Sequence, residues 1–158
     1  MTHASHQARS ANFPSRGIVV PGQSIGGISI GMTTTAVQTK WGTKYTLCPI
    51  ASGCPKATPV WLYVYPGAEP LGAAVKFQNN KVVAVFTLGS PVNWGLKGIM
   101  MGDPVSNIYN LYGTLNTVNC IGYDALSVRI GNSTTSFYSA NGVIYGYALT
   151  APTEKVCQ

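Results

Sequence analysis

The side chains equipped for chemistry are few and scattered. The 158-residue chain holds two histidines, His3 and His6, four carboxylates, Glu69, Asp103, Asp124 and Glu154, and four cysteines, Cys48, Cys54, Cys120 and Cys157. General acid–base or glycosidic chemistry needs two titratable groups converging on one bond, and no pair of these carboxylates falls at a recognisable catalytic spacing. A Ser-His-Asp or Cys-His relay would draw its base from His3 or His6, in a polar leader that is a poor platform for catalysis. The glycines at 22, 26, 27 and 31 have the density of a phosphate loop. No Gly-Lys-Ser/Thr follows them, however, and a glycine-rich entry to a capped helix is their commoner meaning. No Cys-x-x-Cys occurs, and with both histidines in the leader a zinc site lacks ligands. Asn132-Ser133-Thr134 fits a glycosylation sequon, which matters only in a eukaryotic secretory pathway and otherwise reads as a turn. No catalytic residue, metal ligand or cofactor is therefore expected, and the chain is read as a non-enzyme.

The cysteines point instead to structure. An even count in a charge-poor chain rich in Gly, Thr and Tyr suggests an oxidising compartment, although four cysteines permit three pairings. The favoured arrangement joins Cys48 to Cys54 across the short Cys-Pro-Ile-Ala-Ser-Gly-Cys loop, and Cys120 to Cys157, tying the C-terminal end to the body; four free thiols are the alternative. Bridges of this kind imply a protein of the secreted space or the cell envelope. Residues 1–16 have no apolar centre and read as a flexible leader rather than a signal peptide, which a natural precursor should carry upstream.

Composition names the elements that must position any site. With 46% apolar side chains, 9% charged, 18 Gly, 10 Pro and 9 Tyr, the chain is neither disordered nor a charge-laced helical bundle. It describes turn-rich β structure stabilised by burial. No apolar run reaches the roughly 18 residues of a membrane helix. The net charge is +6, from 10 Lys+Arg against 4 Asp+Glu. Arg9 and Arg16 belong to the leader, and the remaining cations are dispersed without a basic run or RNA-binding aromatics. Specific nucleic-acid binding is not expected; an anionic cell-wall polymer remains open as a partner.

An internal match organises the chain. At a spacing of 71, Gly31 to Gly42 aligns with Gly102 to Gly113 in the frame glycine, five residues, aliphatic, three residues, aromatic, glycine. Each copy reads as a short capped helix. Thr33 caps the first; in the second, Asp103 supplies the N-cap, Pro104 the first position and Gly113 the left-handed end, with Val105, Ile108, Leu111 and Tyr112 on one face. At a spacing of 61, Asn80 to Leu88 aligns with Asn141 to Leu149, each a tight turn feeding a strand. Strands are expected at 45–47, 60–65, 73–78 and 82–88, then at 115–118, 123–130, 134–139 and 143–149, connected as antiparallel meanders. The predicted class is α+β: a leader over 1–16, then two tandem repeats, 17–89 and 90–158, each a short helix on a four-stranded meander, joined into one curved eight-stranded sheet. A monomer is expected.

The stretch Pro21-Gly22-Gln23-Ser24-Ile25-Gly26-Gly27-Ile28-Ser29-Ile30-Gly31-Met32-Thr33, running into Val37 and Gly42, resembles the helix-opening signature of the β-lactamase-inhibitor-protein-like superfamily and the related small outer-membrane assembly lipoproteins. The resemblance implies two helix-plus-sheet units forming a concave eight-stranded surface that grips a protein. The whole-chain pattern also looks like uncharacterised secreted proteins of soil actinobacteria. No contact residue is carried over from either.

Strand alternation sorts side chains by face. Small Gly146 and Ala148 would let a helix approach, so their side is assigned to the helices, together with Val83, Val85, Thr87, Leu62, Val64, Val75, Phe77, Leu126, Val128, Ile130 and Phe137. The opposite face then carries the candidate partner-binding residues Trp61, Tyr63, Tyr65, Lys76, Phe86, Arg129, Tyr138, Tyr145 and Tyr147, with Gln78, Tyr123 and Ser127 beside them. Aromatics interleaved with cations bury large area while keeping polar tips, which suits recognition of a protein, such as an extracellular enzyme that the module would inhibit, or of a sugar polymer if the chain is a cell-envelope structural or carbohydrate-associated protein.

Overall fold

A computed structural model describes residues 13–14, 18–64, 72–88, 95–96 and 98–158. In chain order the elements are β1 (Val19–Val20), β2 (Ser24–Ile25), α1 (Thr34–Trp41), β3 (Thr46–Leu47), a short 3-10 turn (Ile50–Ser52), β4 (Val60–Val64), β5 (Gly72–Gln78), β6 (Lys81–Leu88), β7 (Gly95–Leu96), β8 (Ile99–Met100), α2 (Ser106–Tyr112), β9 (Asn116–Cys120), β10 (Tyr123–Ile130), β11 (Ser133–Ala140) and β12 (Val143–Thr150).

The long strands exist because turns punctuate runs of β-branched and aromatic residues. Asn79 and Asn80 take φ of 53° and 62° between β5 and β6, and Asn141 and Gly142 take 54° and 77° between β11 and β12. Positive φ at both central residues gives a hairpin loop the twist of its flanking strands, and Asn and Gly tolerate it best. Eight strands pair antiparallel in the order β3-β4-β5-β6-β12-β11-β10-β9, while β1-β2 and β7-β8 form two small separate hairpins. The middle of the sheet is the β6–β12 pair, in register from Gly146 opposite Leu88 to Thr150 opposite Ala84.

This arrangement corrects the expected class of two tandem α+β units. The protein is mostly β, with helices of only 8 and 7 residues. Hydrogen bonding runs uninterrupted through β6 and β12, and one apolar cluster draws Val37, Trp61, Tyr63, Val75, Phe77 and Val85 together with Ile108, Leu126, Phe137, Ile144, Tyr147 and Leu149. A sheet that buries one shared face has a single core to which both stretches of chain contribute.

The helices lie over that shared first face. In α1, Thr33 caps the start, its hydroxyl accepting from Ala36 N–H at 3.2 Å, and Val37 and Trp41 point inward. Trp41 Nε1 donates to the Gly26 carbonyl at 2.9 Å, tying the helix to the β2 turn. The second helix begins later than expected. Gly102 and Val105 donate to the carbonyls of Ile144 and Gly142, and Ile144 donates to Asp103 O. Residues 102–105 are thus bound to the start of β12 and cannot wind into a helix. Asp103 does not cap α2; its Oδ2 accepts from Met100 N–H and Asn107 Nδ2. Of the expected inward face, Ile108 is buried and Val105 and Tyr112 pack at the core edge, but Leu111 is 53% exposed.

The disulfides are Cys48–Cys54 and Cys120–Cys157. The first closes the loop beside β3; the second ties segment 151–158 to the end of β9. Phe13, within the expected leader, packs edge-on to Trp41 at 5.1 Å and stacks on Tyr63 at 5.6 Å.

Candidate binding face

The residues expected to share one recognition surface divide between two faces. Trp61, Tyr63 and Tyr147 belong to the first face, inside the core. Trp61 stacks on Tyr45 at 3.9 Å and meets Phe77 at 4.5 Å. Tyr63 is 1% exposed and its hydroxyl donates to the Gly42 carbonyl at 2.9 Å. Tyr147 is fully buried against Phe137, 6.2 Å between ring centres. Tyr65 lies outside the described residues. Lys76, Phe86, Arg129, Tyr138 and Tyr145 are on the second face, along with Tyr123 and Ser127.

Two local features turn these side chains around. Between β11 and β12, Tyr138 pairs with Gly146 and Ser139 with Ile144, so Tyr145 is an extra residue. Such a bulge shifts the side-chain phase. Ile144 then faces the core before it, and Tyr147 and Leu149 face the core after it, while Tyr145 and Ala148 face away. A matching irregularity occurs at Val83, between the pairs Lys76 with Ala84 and Phe77 with Val82. In β4 no bulge is involved. Val-Trp-Leu-Tyr-Val is apolar throughout and offers no alternation to read, and packing places Trp61 and Tyr63 inward and Leu62 outward. Gly146, Ala148 and Leu62 therefore do not face the helices.

The small residues nonetheless allow a close approach, by a different segment. Registered pairs set Ala74, Phe86, Ala148, Ser136 and Ser127 in a row across the second face, with Tyr138 and Ala125 in the next. Residues 151–158 double back over this floor. Ala151 N–H donates to Val83 O at 2.8 Å. Glu154 forms an ion pair with Lys76. The Tyr138 hydroxyl donates to Val156 O at 2.6 Å, and the Tyr123 hydroxyl donates to Gln158 O at 2.7 Å and accepts from Gln158 N–H at 2.9 Å. Val156 packs with Ala125, Tyr138 and Ala148, and the disulfide at Cys157 fastens the end. Sequence reasoning read the cysteine tie but not the covering segment; the small residues were its signal.

An aromatic cluster stays at the edge of this cover. Tyr123 meets Tyr138 edge-on at 5.1 Å and Tyr145 at 6.0 Å. Tyr138 is sealed, whereas Phe86, Tyr123 and Tyr145 are half-buried and Arg129 is exposed. Burial, followed by the neighbouring Tyr123 and Tyr145, pushes the Tyr138 hydroxyl well above the ordinary phenol range. Burial raises Tyr145 as well, with Tyr123 adding to it. Both shifts favour the neutral phenols of Tyr138 and Tyr145, which suit dispersion and hydrogen bonding.

Tyr63 is raised by burial and then by Tyr45, and Tyr147 by burial and then by Asp103. Among the described residues no group of three His, Cys, Asp or Glu side chains is placed to hold a metal ion, and no helix is long and apolar enough to cross a membrane. A small cleft between α2, β9 and β10, lined by Val105, Tyr109, Thr117, Asp124 and Ser139, contains one carboxylate.

No family model and no curated protein matches the chain. Solved structures do. One is an extracellular protein containing an SCP domain from Bacillus anthracis str. Ames, at TM-score 0.58 and 12% identity, covering 78% of this chain and 44% of that one. Another is a cysteine-rich secretory protein from Staphylococcus aureus subsp. aureus Mu50, at TM-score 0.58 and 13% identity, covering 90% of this chain and 50% of that one. The chain spans about half the length of either. At this identity the likeness is one of fold. It replaces the resemblance to the β-lactamase-inhibitor-like and outer-membrane lipoprotein superfamilies, and with it the inhibitor reading. The two disulfides fit the oxidising compartment expected from the cysteine count.

Proposed function

We propose that the chain is a secreted, non-catalytic binding module that holds a protein partner on the second face of its sheet. The observation that carries this reading is the cluster of half-exposed rings, Phe86, Tyr123 and Tyr145, standing around a sealed Tyr138. Rings fixed by their neighbours contribute contact area at little entropic cost, and such aromatics dominate protein interfaces. Arg129, exposed on the same face, supplies a cation for the rim of the contact. A non-catalytic role is supported by the occupations of two of the three described carboxylates: Asp103 secures the turn before α2, and Glu154 pairs with Lys76, while Asp124 lines the cleft beside α2. The two neighbours are each about twice as long as the matched region, which suits a module working beside other domains of an extracellular protein.

The test uses immobilised full-length chain, culture supernatant from the source organism and a glycan array. A discrete protein should be retained, and Tyr145→Ala with Phe86→Ala should weaken its binding about 10- to 100-fold, the range of hot-spot aromatics, at unchanged far-ultraviolet dichroism. Glycan binding with no retained protein would move the function to the cell envelope. Protein binding indifferent to both substitutions would remove the proposed face.

A further inference from the structure

Segment 151–158 touches the protein differently from every strand beneath it. Each of its residues is half-buried or exposed, and Val156 is the residue it adds to an apolar cluster. None of its residues belongs to the core of the first face. Its other attachments are the Ala151 N–H bond to Val83, the Lys76–Glu154 pair and the hydrogen bonds to Tyr123 and Tyr138. Water can replace each of these, and an ion pair with access to solvent is screened. The Cys120–Cys157 bond, spanning 37 positions, is what returns the segment to its seat after each local opening.

We propose that 151–158 is a thiol-latched cover: reduction of Cys120–Cys157 by a dithiol lifts the segment and uncovers Ala125, Tyr138 and Ala148 while the eight-stranded sheet stays folded. The chemistry balances as thiol–disulfide exchange. One thiolate of the reductant attacks a sulfur of the bridge; the S–S bond breaks, and the other cysteine leaves as a thiolate that takes up a proton. The second thiol of the reductant then displaces the attacked cysteine from the mixed disulfide, so the reductant ends as its own disulfide and Cys120 and Cys157 end as two thiols. Both cysteines are half-buried, and the adjoining hairpin tip is open, with Ile121 99% exposed, so an approaching reductant has access. Cys48–Cys54, six positions apart, closes a loop beside β3 at the opposite edge of the sheet and leaves the cover untouched. The inference stands whatever partner the second face holds.

The experiment measures hydrogen exchange by mass spectrometry on full-length Cys48→Ser/Cys54→Ser protein, oxidised and after treatment with dithiothreitol, beside a Cys120→Ser/Cys157→Ser variant that needs no reductant. Exchange in 151–158 should rise at least tenfold in the reduced protein and in the second variant, with β5, β6, β11 and β12 as protected as before and the near-ultraviolet tyrosine dichroism altered. A segment that stays protected without the bridge would show that noncovalent contacts suffice and would overturn the latch. Loss of protection throughout the sheet would overturn it equally, because the bridge would then hold the fold rather than the cover.

Discussion

At the residue scale, two buried tyrosines distinguish a satisfied hydroxyl from an orphan. Tyr63 and Tyr147 both lie in the core of the first face, and both rings fill space that no smaller side chain would occupy. The Tyr63 hydroxyl reaches the Gly42 carbonyl, where the chain leaves α1. That of Tyr147 has no partner among the described protein groups. Removing a hydroxyl that makes a bond leaves its acceptor unmet, whereas removing one that makes none relieves a desolvated polar atom. Tyr63→Phe should therefore cost about 1 kcal/mol, and Tyr147→Phe should be neutral or stabilise by up to about 1 kcal/mol. Urea denaturation of the two single variants checks this directly. Equal losses would mean that the Tyr147 hydroxyl is paired in solution.

At the element scale, the junction of β6 and β12 depends on having no side chain at position 146. A Cβ on Gly146 would run into the Thr87 carbonyl oxygen and stand 3.1 Å from the Tyr138 ring. The carbonyl cannot yield, being backbone in the middle of the sheet, and the Tyr138 ring is fully buried among its neighbours. Gly146→Ala should cost about 3 kcal/mol, the range of overpacked or sterically forced sites, whereas Gly142→Ala, with open space around its Cβ, should cost only the strain of its positive φ. A thermal melt of both variants separates the two effects, and a smaller loss at 146 than at 142 would refute the close approach. The eight strands of the large sheet were legible; the short strands β1, β2, β7 and β8 were not. Asn-Asn and Asn-Gly turns fix where strands end because few other residues tolerate that backbone, and Thr33 marks its helix through a local hydroxyl bond. The faces were legible only where the sequence alternates. At Tyr145 the register adds one residue, and a bulge depends on the partner strand, which a linear reading does not hold. Val60–Val64 is apolar at every position, so only packing selects Trp61 and Tyr63 for the core. The start of α2 was misplaced because residues 102–105 bond to β12, about 40 positions downstream.

At the scale of the whole molecule, the open matter is whether the two ends of the sheet are separately stable. The continuous strand order argues against it. Cutting the sheet between β6 and β12 would expose two long edges in the middle of the molecule, and unpaired edges are costly and prone to aggregate. It would also open the core, because Val82 and Val85 of β6 and Ile144 and Leu149 of β12 are buried in one cluster with side chains from both helices. Tyr147 N–H donates to Thr87 Oγ1 at 3.1 Å across the same seam, inside the protein, where a lost partner is penalised most. Stability shared across a seam in this way should vanish in one step. We therefore expect the oxidised protein to unfold in urea through a single transition, with coincident midpoints for far-ultraviolet dichroism, which follows the strands, and tryptophan fluorescence, measured on a Trp94→Phe background so that it reports Trp41 and Trp61 at the β3–β5 end. Thr87→Pro, which removes the seam hydroxyl and a strand donor together, should lower both midpoints equally. Two resolved transitions, or a shift of one probe alone, would establish that the ends of the sheet are independent folding units joined side by side.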